Sequence, residues 1–112
     1  MSATPSVTIA IPTLDEAANI RALIEGFLAT RYSNLVEILV SDGGSRDDTR
    51  AIVRELAARD ARVALLENPG RIQASGLNLA LARARGEVFL RADAHCRYAD
   101  DYLERCVETL VA

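Results

Sequence analysis

Three short clusters in this sequence join carboxylates to turn-forming residues, and each follows an apolar run. They are Pro12-Thr13-Leu14-Asp15-Glu16, Asp42-Gly43-Gly44-Ser45 and Asp93-Ala94-His95. Asp93 and His95 offer a hard oxygen ligand and an imidazole two residues apart. On an extended chain such side chains point the same way, so both can reach one divalent ion. Mixed oxygen and nitrogen ligation suits Mn2+ and is compatible with Mg2+ bridging phosphates. The competing reading of His95, the only histidine present, is a solvated or packed side chain.

Asp42, followed by two glycines, permits a tight turn and close approach of backbone to a ligand. Its carboxylate can accept from an imide or amide N–H, such as that of a uracil ring, or simply close an Asx turn. The segment is no Walker loop, because the Gly-x-x-x-x-Gly-Lys-Ser/Thr pattern is missing. Arg71 follows an Asn68-Pro69-Gly70 turn and opens a helical stretch. There it can meet a phosphate or a base edge, assisted by the helix N-terminus, or stand as a solvated surface arginine. Glu16 has capping-box spacing from Thr13, which makes it either a cap or a site residue. Asn78, polar within an Ala-rich helix, is expected to hydrogen-bond a loop backbone.

The elements that must position these residues alternate between strand and helix. Residues 7–11 form an apolar, β-branched run that Pro12 should break. A helical pattern over about 15–30 then places Ile20, Leu23, Ile24, Phe27 and Leu28 on one face. Residues 36–41 read as a second strand, and Asp47 or Asp48 as the N-cap of a helix reaching Ala58. A third strand is expected over 62–66, an Ala-rich helix over 72–85 with Gly86 at its C-terminus, and a fourth strand over 88–91. The last helix spans about 100–111. Strands separated by helices imply parallel pairing, right-handed crossovers and helices on both faces: a doubly wound α/β domain. In such sheets ligands bind beyond the carboxyl ends of the strands, where strand order reverses. All three clusters would then share one edge of the sheet.

The chain has 112 residues, half of them hydrophobic and 26% charged, which supports one compact domain and excludes disorder. A net charge of -3 argues against a general nucleic-acid binder. Cys96 and Cys106 fit no zinc or redox spacing and read as free thiols of a reducing compartment. With no signal-peptide pattern over Met1–Ser6 and no apolar run of about 20 residues, a cytoplasmic location is expected. The chain stops at Ala112 just after a helix, so it is expected to be the N-terminal part of a larger enzyme, with more sheet beyond its fourth strand.

Taken together these segments resemble the nucleotide-sugar-binding half of family 2 glycosyltransferases, inverting enzymes with the GT-A fold. Val7-Thr8-Ile9-Ala10-Ile11-Pro12-Thr13-Leu14-Asp15-Glu16 is similar to that family's V-I-P-x-x-N-E. Asp42-Gly43-Gly44-Ser45-Arg46-Asp47-Asp48-Thr49 is similar to its D-G-S-x-D-x-T. Asn68-Pro69-Gly70, Gly76-Leu77-Asn78 and Ala84-Arg85-Gly86-Glu87 resemble its N-x-G, A-x-N and A-x-G-E. Asp93-Ala94-His95 stands where the family has its D-x-D metal motif. Residues 70–78 and 91–95 look most like the succinoglycan-biosynthesis branch, which builds bacterial exopolysaccharide.

The resemblance implies that Pro12, Thr13, Glu16 and Asp42 border a uracil and ribose, with Arg71 nearby. It implies that Asp93 lies at the ribose and metal, and that His95 ligates Mg2+ or Mn2+ on the diphosphate. The donor would be a nucleotide-sugar, the acceptor a saccharide or lipid-linked group, and any membrane association would come from regions outside this chain. His95 in place of an aspartate lowers the charge at the metal and makes its affinity more pH-dependent. The family's acceptor half and its general base lie beyond residue 112, so no catalytic base is expected here. A domain without that half is expected to self-associate as a homodimer through its open edge. The alternative is a non-catalytic nucleotide-binding module. A receiver-type signalling domain, also doubly wound, needs a lysine, and the chain has none.

Overall fold

The structure, a computed structural model, describes residues 4–111. Residues 1–3, part of the stretch read as lacking a signal peptide, and Ala112 lie outside the described residues. The element order is β1 (Val7–Thr13), α1 (Ile20–Leu28), β2 (Leu35–Asp42), α2 (Thr49–Arg59), β3 (Val63–Glu67), α3 (Gln73–Arg83), β4 (Val88–Arg91) and α4 (Tyr102–Val111). The strands form one parallel sheet in the order β3-β2-β1-β4. The expected α/β architecture is therefore present, with β4 as an edge strand of the described sheet.

Every residue of β1 is buried, because helices cover both faces of this strand. Val7, Ile9 and Ile11 join Ile38 and Val40 of β2 under the apolar faces of α1, α2 and α4. Ala10 and Leu39 face the other way and pack with Leu66 and Ala80, the latter from α3. The single helix on that second face follows from topology. The crossovers through α1 and α2 step outward from β1 to β3, whereas α3 carries the chain back past β1 to β4. With one crossover hand throughout, reversing the direction of travel puts the connecting helix on the opposite face. The crevice between β1 and β4 is thus the place where strand order reverses.

Three local expectations are corrected. Pro12 does not end β1, which pairs with β2 through Pro12↔Ser41 and Thr13↔Asp42. Pairing with β4 stops at Ala10↔Arg91. Ala10 and Pro12 point their backbone groups to that same side, so the missing proline N–H falls where no partner strand remains. The capping box does not form: Thr13 stays in the strand, and α1 begins at Ile20 rather than near residue 15. Gly86 is not a left-handed helix terminator, since only Gly44 among the glycines has a positive φ. It is instead a point of close approach, where a Cβ would lie 2.6 Å from the Thr8 nitrogen.

Candidate functional site

The site is built at the carboxyl ends of the strands by loops that hold one another. Asp42 closes β2, is fully buried and spends its carboxylate inside the protein. Thr13 Oγ1 donates to Oδ1 at 2.9 Å and Ser45 Oγ donates to the same oxygen, while the Gly44 and Ser45 amides donate to Oδ2 at 3.1 and 2.8 Å. Burial pushes this carboxyl up, but the bonds from Ser45, Thr13 and Gly44 outweigh it and hold Asp42 below its ordinary value. Gly44 sits at φ 98°, a conformation that a residue with a Cβ adopts only under strain.

The β1–α1 loop is latched to the β2–α2 loop. Asp15, at φ 53°, donates its amide to Ser45 Oγ at 2.8 Å, and its carboxylate accepts from the Arg46 and Asp47 amides. The Glu16 amide donates to Thr49 Oγ1 at 2.9 Å, and the Ala17 amide to Asp47 Oδ2 at 3.1 Å. Asp47 also accepts from the Thr49 amide at the start of α2, while Asp48, of the two candidates read from sequence, stands at the N-cap position and makes no side-chain cap bond.

The loop after β3 is organised by Asn68, a buried residue read from sequence as part of a turn and of the N-x-G resemblance but given no role of its own. Its Oδ1 accepts from the Gly70 amide and Ser75 Oγ, and its Nδ2 donates to the Ile72 carbonyl at 2.9 Å. Asn78, assigned a loop-bonding role from sequence, is exposed on α3; Asn68 does that work. Arg71 adopts φ 64°, and its guanidinium lies over Gly44, where a Cβ would be 3.5 Å from Nη2. Among the described residues no carboxylate comes within ion-pair distance of Arg71. An exposed, unpaired cation held in a left-handed backbone is available to an anion.

Beyond β4 the chain does not stay extended. The Cys96 amide closes a turn onto the Asp93 carbonyl at 3.1 Å, so Asp93 and His95 are not carried side by side on a strand. Asp93 Oδ1 accepts from Arg91 at 3.0 Å, and Arg91 also donates to Gln73 Oε1. The His95 ring turns instead toward the β1–α1 loop, where Nδ1 lies 3.1 Å from Glu16 Oε2.

These loops enclose a cavity of about 350 Å³, lined by Pro12, Thr13, Glu16, Arg71, Asp93 and His95 together with Leu14, Ser41, Asn68, Ile72, Gln73 and Ala94. Six of the seven site residues picked out from sequence therefore share one space. Asp42 borders an adjoining cavity of about 610 Å³ with Gly43, Gly44 and Arg71, so Arg71 faces both. Among the described residues no group of three or more His, Cys, Asp or Glu is gathered to cage a metal ion. The donor set fits an ion that a diphosphate helps to hold, because such sites use one or two protein ligands plus phosphate oxygens. Asp93 Oδ2 and His95 Nε2 have no hydrogen-bond partner among the described residues.

The chain is similar in sequence and in fold to known glycosyltransferases. The family described as "Glycosyl transferase family 2" matches residues 8–112. The succinoglycan biosynthesis protein ExoA of Rhizobium meliloti is 45% identical over 109 residues, 96% of this chain and 33% of its own length. The glycosyltransferase AglE of Haloferax volcanii is 30% identical over 111 residues, 97% of this chain and 36% of its own length. A mannosyltransferase of Pyrobaculum calidifontis, solved with GDP-mannose and Mn2+, superposes with a TM-score of 0.87 at 32% identity, over 96% of this chain and 33% of that one. The chain thus spans about a third of the length of these relatives. With the profile match running from β1 through α4 and the GT-A-like sheet carrying its loops at the strand-order reversal, the chain belongs to glycosyl transferase family 2.

Proposed function

We propose that this chain forms the donor-binding domain of an inverting glycosyltransferase that uses a nucleotide-diphosphate sugar, a UDP-sugar in the first instance, in exopolysaccharide or cell-surface polysaccharide synthesis. The observation that carries the reading is the shared cavity: the loops after β1, β3 and β4 bring an unpaired arginine, a free carboxylate oxygen and a free imidazole nitrogen to the β1–β4 crevice. The polysaccharide role is supported by the similarity to ExoA. Metal use is supported by the Mn2+ bound to the similar mannosyltransferase, whose donor carries guanosine, so both bases belong in the test.

In this reading Pro12, Thr13, Glu16 and the loop held by Asp42 border the base and ribose, and Arg71 binds phosphate oxygens. Asp93 and His95 would hold Mg2+ or Mn2+, which when bound offsets the charge that develops on the leaving diphosphate. The acceptor hydroxyl forms its bond to the anomeric carbon as the bond from that carbon to the diphosphate breaks, inverting the configuration. The hydroxyl proton goes to a base outside this chain, so the isolated chain binds donor without transferring sugar.

Calorimetric titration of UDP and GDP, with and without Mn2+, tests this. Metal-dependent binding that Asp93→Ala abolishes is the expected result. Binding of neither nucleotide under either condition overturns the reading.

A further inference from the structure

Resting on the donor-site reading above, the geometry points to Glu16 as the positioning residue of His95: its carboxylate accepts from the Nδ1–H and so leaves Nε2 as the metal ligand. The 3.1 Å contact joins Glu16 Oε2 to Nδ1 across 79 residues of sequence. A carboxylate oxygen can only accept, so the ring nitrogen facing it carries the hydrogen. In neutral imidazole the other nitrogen then holds the lone pair, and metal-ligating histidines are commonly oriented by such a carboxylate. Nε2 has no partner among the described residues, and His95 lines the same cavity as Asp93.

Glu16 is itself held. Its side chain is only 17% exposed while that of His95 is 64% exposed, its amide is fixed by Thr49, and its other oxygen accepts from Asn19 Nδ2 at 3.3 Å. The more buried, bonded partner therefore orients the more exposed one. Where a ligand is a carboxylate, both oxygens can bind and no tautomer has to be chosen. The histidine at this position creates the need for a tautomer-setting neighbour, and Glu16 meets it.

Because His95 is the only histidine, its ring nitrogen shifts can be read by long-range 15N NMR without assignment. The metal-free wild type should show the Nδ1–H tautomer. Glu16→Ala should move the ring toward the Nε2–H form and weaken Mn2+ binding, measured by electron paramagnetic resonance, by about 10- to 100-fold. Glu16→Gln keeps an acceptor oxygen and should retain the tautomer and most of the affinity. An unchanged tautomer in Glu16→Ala overturns the proposal, and so does a changed tautomer with unchanged Mn2+ affinity. Wild-type protein that binds no Mn2+ also overturns it, whereas UDP bound without metal in the same samples would leave the donor-site reading standing.

Discussion

Arg71 and Glu37 show how differently two charged residues can act in this fold. Arg71 is exposed, unpaired and set over the Gly43–Gly44 turn, so its charge is available to a ligand. Charge-assisted hydrogen bonds contribute about 1.5–3 kcal/mol each, so Arg71→Ala should weaken UDP binding by roughly 10- to 100-fold. Its melting temperature should stay near wild type; an unchanged Kd by calorimetry would remove Arg71 from the phosphate site. Glu37 is buried within β2 and accepts from Thr8 Oγ1 at 2.8 Å and from the Arg85 amide and Nε at 2.6 and 3.1 Å. Glu37→Ala strands these donors and should destabilise the fold by about 1–3 kcal/mol in urea denaturation. A lone charge inside Val36-Glu37-Ile38-Leu39-Val40 was its only sequence signal, and that signal does not name the partners.

At the scale of elements, the glycines mark where backbone meets backbone. Gly86 joins α3 to β4, and a Cβ there would stand 2.9 Å from the Val7 carbonyl carbon as well as against Thr8. These neighbours are central-strand backbone and cannot yield cheaply, so Gly86→Ala should cost about 1–3 kcal/mol. For a domain of this size each kcal/mol lowers Tm by roughly 4–8 °C, a shift readily seen by calorimetry. Gly44→Ala faces a different obstacle, since a Cβ would make only an ordinary contact with the Arg71 guanidinium but the φ of 98° would strain it. It should relax the turn that Asp42 organises and weaken UDP binding more than it lowers Tm. The boundaries of the helices were legible from apolar spacing, but the start of α1 was not. Thr13 and Glu16 suit a capping box in isolation, and pairing of Thr13 with Asp42 across the sheet overrides that local preference.

For the whole molecule, acid stability and association follow from groups already described. Burial pushes the Glu37 carboxyl up, but the bonds from Arg85 and Thr8 prevail and hold it below its ordinary 4.5, as Asp42 is held below its ordinary 3.8. A carboxylate whose native value is depressed contributes its stability in full above the unfolded value and loses it as pH falls through the native value. Urea stability should therefore be flat from neutral pH to about pH 5 and fall below about pH 4.5, with Glu37→Gln showing a shallower fall. Stability constant down to pH 3 would contradict this. The described sheet has two open edges, β3 and β4, and Leu110 and Val111 of α4 are exposed. Such an edge invites pairing, so light scattering at high concentration should show a dimer, and a monomer there would count against it.

The alternation of apolar runs and turn clusters was sufficient to read four strands, four helices, their parallel sheet and the residues at the strand ends, because burial on both faces leaves a nearly continuous apolar record in the central strands β1 and β2. It also singled out Pro12, Thr13, Glu16, Arg71, Asp93 and His95, which the fold gathers into one cavity. What each side chain does there was decided only by tertiary contacts. Asp42 turns its carboxylate inward to hold a loop, Asn68 replaces Asn78 as the bond-maker, and His95 meets Glu16 rather than standing beside Asp93. These partners lie up to 79 residues apart, and no local period or propensity encodes a hydrogen bond closed across a crevice between two non-consecutive strands.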